Sequence, residues 1–127
     1  MPSPTQARGA DQEARAESEL SRRGYVVVER NWRGGGGEID RIAWDGEILC
    51  FVEVRSRVGD AGGSPLESIS ASKRRHLVRA AQAYLMRFPE TEMPMARFDV
   101  MGITERPGQP TEVVLVTDAF DAGGRIT

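Results

Sequence analysis

In 127 residues the chain holds one cysteine, Cys50, and one histidine, His76. A lone cysteine builds no internal disulfide framework. One cysteine with one histidine makes no zinc site of the Cys and His type, so any resident metal must be held by oxygen. No run of 18 apolar residues is present, which excludes an obvious membrane-spanning helix. Residues 1–6 lack the apolar stretch of a signal peptide, and the chain reads as cytoplasmic. A strong charge of one sign is missing too: the formal net charge of -2 argues against a uniformly basic nucleic-acid binder. There is no internal repeat. The run Gly34 to Gly37 lacks the Gly-Lys-Ser/Thr ending of a P-loop, and Ile39 occupies the third glycine position of a dinucleotide fingerprint. It reads as a flexible loop entering the next strand.

What is present suits one domain, since 39% apolar residues can build a single core. Residues 6–23, rich in Ala, Glu and Arg, predict a helix stopped by Gly24. Residues 25–30, 38–44 and 47–55 read as strands, with Asp45-Gly46 as a two-residue hairpin signal. A second helix is expected from Ser70 or Ser72 to Phe88, before Pro89, with Leu77, Ala80, Ala81, Tyr84 and Phe88 as its inner stripe. Strands at 97–103 and 112–117 follow, separated by Pro107-Gly108-Gln109-Pro110. The order α-β-β-β-α-β-β gives an α/β fold, a mixed sheet flanked by helices. Residues 9–118 form the expected domain, between a disordered segment at 1–8 and a flexible tail at 119–127; Gly59 to Pro65 reads as a loop.

Charge is unevenly placed. Between Ser70 and Phe88 the ionisable residues are Lys73, Arg74, Arg75, Arg79, Arg87 and His76, with no acid; beyond Pro89 seven acids face three arginines. Two further runs, Gly37-Glu38-Ile39-Asp40 and Phe51-Val52-Glu53-Val54-Arg55, place acids inside apolar strands. A buried carboxylate costs free energy unless a cation or hydrogen-bond donor satisfies it. With Asp45-Gly46 as the loop, Trp44 pairs with Glu47, Asp40 with Phe51 and Glu38 with Glu53. Glu38, Asp40, Glu53 and Arg55 then share a face with Ile42 and Phe51, while Ile39, Val52 and Val54 take the other. Asp40 and Glu53 become diagonal neighbours about 7 to 8 Å apart, within reach of one Mg²⁺ or Mn²⁺. A solvated edge with alternating charges is the competing reading.

These residues carry a resemblance. Gly37-Glu38-Ile39-Asp40 and Phe51 to Arg57, with Glu13, Gly24-Tyr25, Asn31-Trp32-Arg33, Gly63-Ser64-Pro65, Lys73 and Arg97-Phe98-Asp99, resemble the YraN-like family of uncharacterised bacterial proteins. That family is similar to the restriction-endonuclease-like superfamily, which includes Holliday-junction resolvases and carries an Asp followed by Glu-x-Lys. The resemblance implies Asp40, Glu53 and Arg55 as catalytic residues, and Glu13, Asp40 and Glu53 as ligands of Mg²⁺ or Mn²⁺. It also implies a nucleic-acid substrate, DNA in branched or structured form, no membrane partner, and raises a homodimer like that of junction-cutting enzymes. Arg55 stands where the superfamily has lysine. A guanidinium stays protonated, so it can hold a phosphate but cannot take a proton from water. A catalytically inactive nucleic-acid-binding module, or a protein-interaction adaptor on the same fold, is therefore the alternative to a Mg²⁺-dependent endonuclease.

The remaining candidates each carry two readings. Glu13 completes a metal site or is a first-turn glutamate favoured by the helix dipole. Lys73, Arg74, Arg75 and Arg79 grip phosphates or form a solvated face. Glu38 and Arg57 flank the carboxylates as accessory groups. Asp99 is either accessory or an arginine-paired residue. Trp32 and Trp44 are core or stack on bases, and Cys50 packs as a small apolar residue.

Overall fold

The computed structural model describes residues 4–59 and 64–127. Its elements are α1 (Pro4–Arg22), β1 (Val26–Gly34), β2 (Gly37–Asp45), β3 (Ile48–Val58), α2 (Ala71–Leu85), β4 (Met95–Glu105) and β5 (Glu112–Val116), with short 3₁₀ turns at Pro65–Ser68 and Glu90–Glu92. The helix, three-strand, helix, two-strand order matches the sequence reading. One five-stranded mixed sheet runs β1-β2-β3-β4-β5, antiparallel except for the parallel pair β3 and β4 that α2 connects.

Local chemistry explains the helix ends. Past α1, Gly24 at φ 92° lets its N–H reach the Ser21 carbonyl while Tyr25 N–H reaches that of Leu20. That pattern is a Schellman stop, and Leu20 and Tyr25 close it by packing in the same cluster. Ser70 caps α2 by accepting the Lys73 N–H at 3.1 Å. The helix starts at Pro4, inside the segment expected to be disordered; residues 1–3 lie outside the described ones, as does the centre of the Gly59 to Pro65 loop.

The two helices cover opposite faces. Ala16 and Leu20 of α1 pack on Ala43, Cys50, Val52, Met101 and Ile103. Leu77, Ala80, Ala81 and Tyr84 of α2 pack on Ile39, Ile42, Phe51 and Val100. Trp32 meets Tyr84 edge-on at 5.2 Å and Trp44 meets Phe88 at 6.3 Å, so both tryptophans pack within the protein rather than lying open to stack on bases. Among the described residues no helix is long and apolar enough to cross a membrane.

Four local expectations change. The hairpin loop is Gly46-Glu47, with Asp45 opposite Ile48 and Trp44 opposite Leu49, a register two residues from the expected one. A two-residue shift conserves faces, because side chains alternate with period 2. Ile39, however, joins the α2 cluster beside Ile42, while Arg41 between them reaches α1. The alternation slips at Asp40, opposite Asn31, whose φ of 49° breaks the regularity of β1. The segment after Asp118 is no loose tail: Phe120 is buried, Ala119 N–H donates to Phe98 O, and Phe120 bridges Ile126.

The glycine run is a tight turn pressed on α2, not a flexible loop. A Cβ at Gly35 would meet Arg79 O at 2.5 Å, and one at Gly37 would meet His76 O at 2.6 Å. Both contacts are to helix backbone, which cannot swing aside. Gly37→Ala is expected to destabilise the protein by about 1–3 kcal/mol, read as a lower urea midpoint; an unchanged midpoint contradicts this packing.

Candidate active site

Strand β3 brings Glu53 onto the α2 face, where it is 5% exposed. The β2–β3 ladder ends at Arg41 and Val52, and one step further Asp40 stands opposite Glu53. There the Asp40 carboxylate substitutes for backbone pairing: its Oδ2 accepts the Val54 N–H at 2.9 Å. That bond turns Asp40 toward β3, beside Glu53, whose carboxyl feels its charge.

Two cations flank the pair. Lys73 Nζ lies 3.6 Å and Arg55 Nη2 lies 3.7 Å from Glu53 Oε2. Both separations exceed hydrogen-bond length, so the carboxyl keeps lone pairs for a further ligand. Burial pushes the Glu53 carboxyl up to about 8, the hydrogen bond and charge of Asp40 add to that, and Lys73 and Arg55 pull it back. At neutral pH the Glu53 carboxyl thus holds a proton where a divalent cation could sit. Such a pair fits Mg²⁺, which takes one or two carboxylates and completes its shell with water and substrate oxygen.

Glu13 stands outside the pair. It accepts from Asn31 Nδ2 at 2.8 Å and from Arg41 Nη1 at 3.2 Å. Arg41 is 6% exposed, and it also bonds Glu17 at 2.8 Å and the Asp40 carbonyl at 2.7 Å. A buried guanidinium needs acids around it, and it takes Glu13 as one of them. Among the described residues no three His, Cys, Asp or Glu side chains converge as a ligand group. Glu38 pairs with Arg33 at 3.7 Å. Arg57 donates to Thr104 Oγ1 at 3.1 Å and shares with Arg55 a cleft of about 60 Å³.

Asp99 lies across the sheet from the carboxylates. It pairs with Val52, on the α1 face, whereas Glu53 pairs with Val100 of the α2 cluster. There it accepts from Tyr25 Oη at 2.9 Å, Arg97 Nε at 3.0 Å and Asp118 N–H at 3.0 Å. The arginine-paired reading of Asp99 is the one this geometry gives. Arg74 is likewise spent inside the protein, donating to Gly124 O and Ile69 O at 2.7 Å each. Arg75 and Arg79 are exposed and carry no acidic partner among the described residues.

Sequence reasoning placed Lys73 on the phosphate-gripping face and missed its position beside Glu53. The signal was available: the stripe Leu77, Ala80, Ala81, Tyr84, extended back one turn, lands on Lys73.

The sequence profile of the uncharacterised protein family UPF0102 matches residues 12–103. The chain belongs to this family. A UPF0102 protein of Chlorobium chlorochromatii is 46% identical over 102 residues, covering 80% of this chain and 78% of that one. One from Anaeromyxobacter sp. strain Fw109-5 is 40% identical over 119 residues, 94% and 88% of the two chains. A UPF0102 protein of Symbiobacterium thermophilum is 42% identical over 113 residues, 89% and 94%. The matched span of this UPF0102 protein contains Asp40, Glu53, Arg55 and Lys73.

Proposed function

We propose that this UPF0102 protein is a nucleic-acid-binding domain of restriction-endonuclease-like fold that cleaves phosphodiesters of branched or structured DNA with Mg²⁺ or Mn²⁺. The observation that carries the reading is the buried Glu53 carboxyl beside the half-buried Asp40, with Lys73 3.6 Å from Glu53. Asp40 and Glu53 would hold the metal, which supplies Lewis-acid stabilisation of the scissile phosphate and a more acidic bound water.

The chain's own groups do the rest. Asp40 is fixed by the Val54 N–H, so its carboxylate needs no reorganisation when substrate arrives. Lys73 supplies the ammonium that the superfamily's Glu-x-Lys provides from the strand, here delivered from the first turn of α2. Arg55 keeps a fixed positive charge for a phosphate oxygen. Exposed Arg75 and Arg79, one helical turn apart on α2, offer contacts to neighbouring phosphates.

Incubation with branched, flapped and linear DNAs in Mg²⁺ or Mn²⁺ tests the reading, with Asp40→Ala prepared identically. Cleavage by the native chain alone is the expected result; equal background from both removes the enzyme. A binding module without catalysis is the second reading, favoured by the arginine at position 55. It keeps DNA affinity in Asp40→Ala and shows no cleavage in either protein. For both readings, neutralising Arg75 and Arg79 together should flatten the plot of log affinity against log salt by about 2. An unchanged slope takes α2 out of the interface.

A further inference from the structure

The cleft that Arg55 and Arg57 share lies toward the carboxyl ends of β3 and β4, the parallel pair of the sheet. The chain leaves β3 there, and the 3₁₀ turn Pro65–Ser68 lies back over the sheet on the way into α2. Gly102 makes room for that turn, because a Cβ at its position would run into the Pro65 ring. Ser68 Oγ donates to Pro65 O at 2.6 Å and braces it. In open α/β sheets the crevice outside the carboxyl ends of parallel strands is where ligands bind. At about 60 Å³ the cleft takes a small group and not a whole cofactor.

The polar groups around the cleft specify an anion. Arg55 and Arg57 line it with Ser64, Ser68 and Thr104, and among the described residues no acid does. Arg57 Nε donates to Thr104 Oγ1, which leaves the Thr104 hydroxyl hydrogen to donate in turn. Arg55 is the telling residue. Its ion-pair partner, Glu53 Oε2, is 3.7 Å away, beyond hydrogen-bond length. Its Nε is nonetheless buried, and no acceptor meets it. A buried donor on a cation costs free energy while it lacks an acceptor, and an anionic oxygen is the acceptor that bonds it most strongly.

We infer that this cleft binds the terminal phosphate monoester of a nucleic-acid strand, held by the guanidinium groups of Arg55 and Arg57 and the hydroxyls of Ser64 and Thr104. A monoester carries about -1.5 to -2 charge and three strong acceptor oxygens. A phosphodiester within a strand carries less of both, so the monoester is the better match to two arginines and two hydroxyls. Arg55 lines the cleft and also flanks Glu53, two residues back and about 7 Å along the same face of β3. The consequence for substrate rests on the proposed nuclease: with Glu53 at the reacting centre, the cut falls within the first few nucleotides of a phosphorylated end.

The probes are short, internally labelled single strands that end in a 5′-phosphate, a 3′-phosphate or hydroxyls alone, with inorganic phosphate as competitor. Anisotropy in EDTA reads their binding without cleavage. One phosphorylated form should bind at least about tenfold tighter than the hydroxyl form, the scale of a hydrogen bond to a charged group. Which form does so says which end is read. Inorganic phosphate should remove that excess affinity and no more. Arg55→Lys keeps the charge but lacks the Nε donor, and should cut the preference to less than about threefold. Ser64→Asp, at an exposed position on the cleft, should do the same by repulsion. Neutralising Arg75 and Arg79 should weaken all three strands alike and leave the ratio unchanged. Equal binding of the three strands overturns the inference, as does a preference that survives both cleft variants. Phosphate binding by a protein indifferent to strand ends also overturns it, in favour of a small free phosphate. The nuclease stands or falls separately: end preference without cleavage keeps the cleft and removes the enzyme, and cleavage without end preference does the reverse.

Discussion

Asp40→Ala is expected to lower the proposed Mg²⁺-dependent cleavage by at least about 10³-fold, because it removes both a proposed metal ligand and the group that fixes the β2–β3 opening. Lys73→Met should cost about 10²–10⁴-fold, the range for a charged group placed at a reacting centre. Lys73→Arg is the informative partner. If Lys73 acts only as a positive charge 3.6 Å from Glu53, arginine restores most of the rate. If it moves a proton, arginine stays as slow as methionine. DNA binding in EDTA separates these effects from lost affinity and should change less than about threefold in Asp40→Ala. Single-turnover rates within tenfold of the native chain for both Asp40→Ala and Lys73→Met would contradict the assignment.

Glu53→Gln should raise the thermal midpoint at pH 8.5 by about 10 °C in the absence of divalent cations. The sign follows from burial. The folded carboxyl titrates near 8 and the unfolded one near 4.5. The folded state therefore prefers the protonated form. Its contribution to stability is complete below about pH 4.5 and is lost as pH rises through about 8. The integrated effect is at most roughly 5 kcal/mol, and glutamine mimics the neutral carboxyl at every pH. The native chain should lose stability between pH 5 and 8.5 while Glu53→Gln stays flatter, the two converging near pH 4.5. A variant less stable than the native chain at pH 8.5 would contradict the buried proton. The same linkage predicts release of close to one proton when Mg²⁺ binds the native chain near pH 7.

The sheet was legible because each strand carries its own β-former run and each helix its own boundary signal, the Gly24 stop after α1 and the Ser70 cap that starts α2. Asp40 and Glu53 could be brought together from sequence because a two-residue register error conserves the face of every side chain. Ile39 was misplaced for a different reason. Strict alternation has no way to express a left-handed Asn31 and an Asp40 carboxylate that replaces a ladder bond. The bond of Glu13 to Arg41 was not legible, because a buried base's need for acids is a tertiary fact. Phe120 was hidden because a single aromatic in a Gly- and Asp-rich segment has no periodicity, and only the uncovered Phe98 gives it a place.

The most direct measurement is an anomalous difference map from crystals soaked in Mn²⁺. The account predicts a peak about 2.0–2.2 Å from carboxylate oxygens of both Asp40 and Glu53, with Glu13 still bound to Arg41, and no peak in Asp40→Ala crystals. A map without density between Asp40 and Glu53 in the native protein, at a pH above 8 where Glu53 has lost its proton, would contradict it.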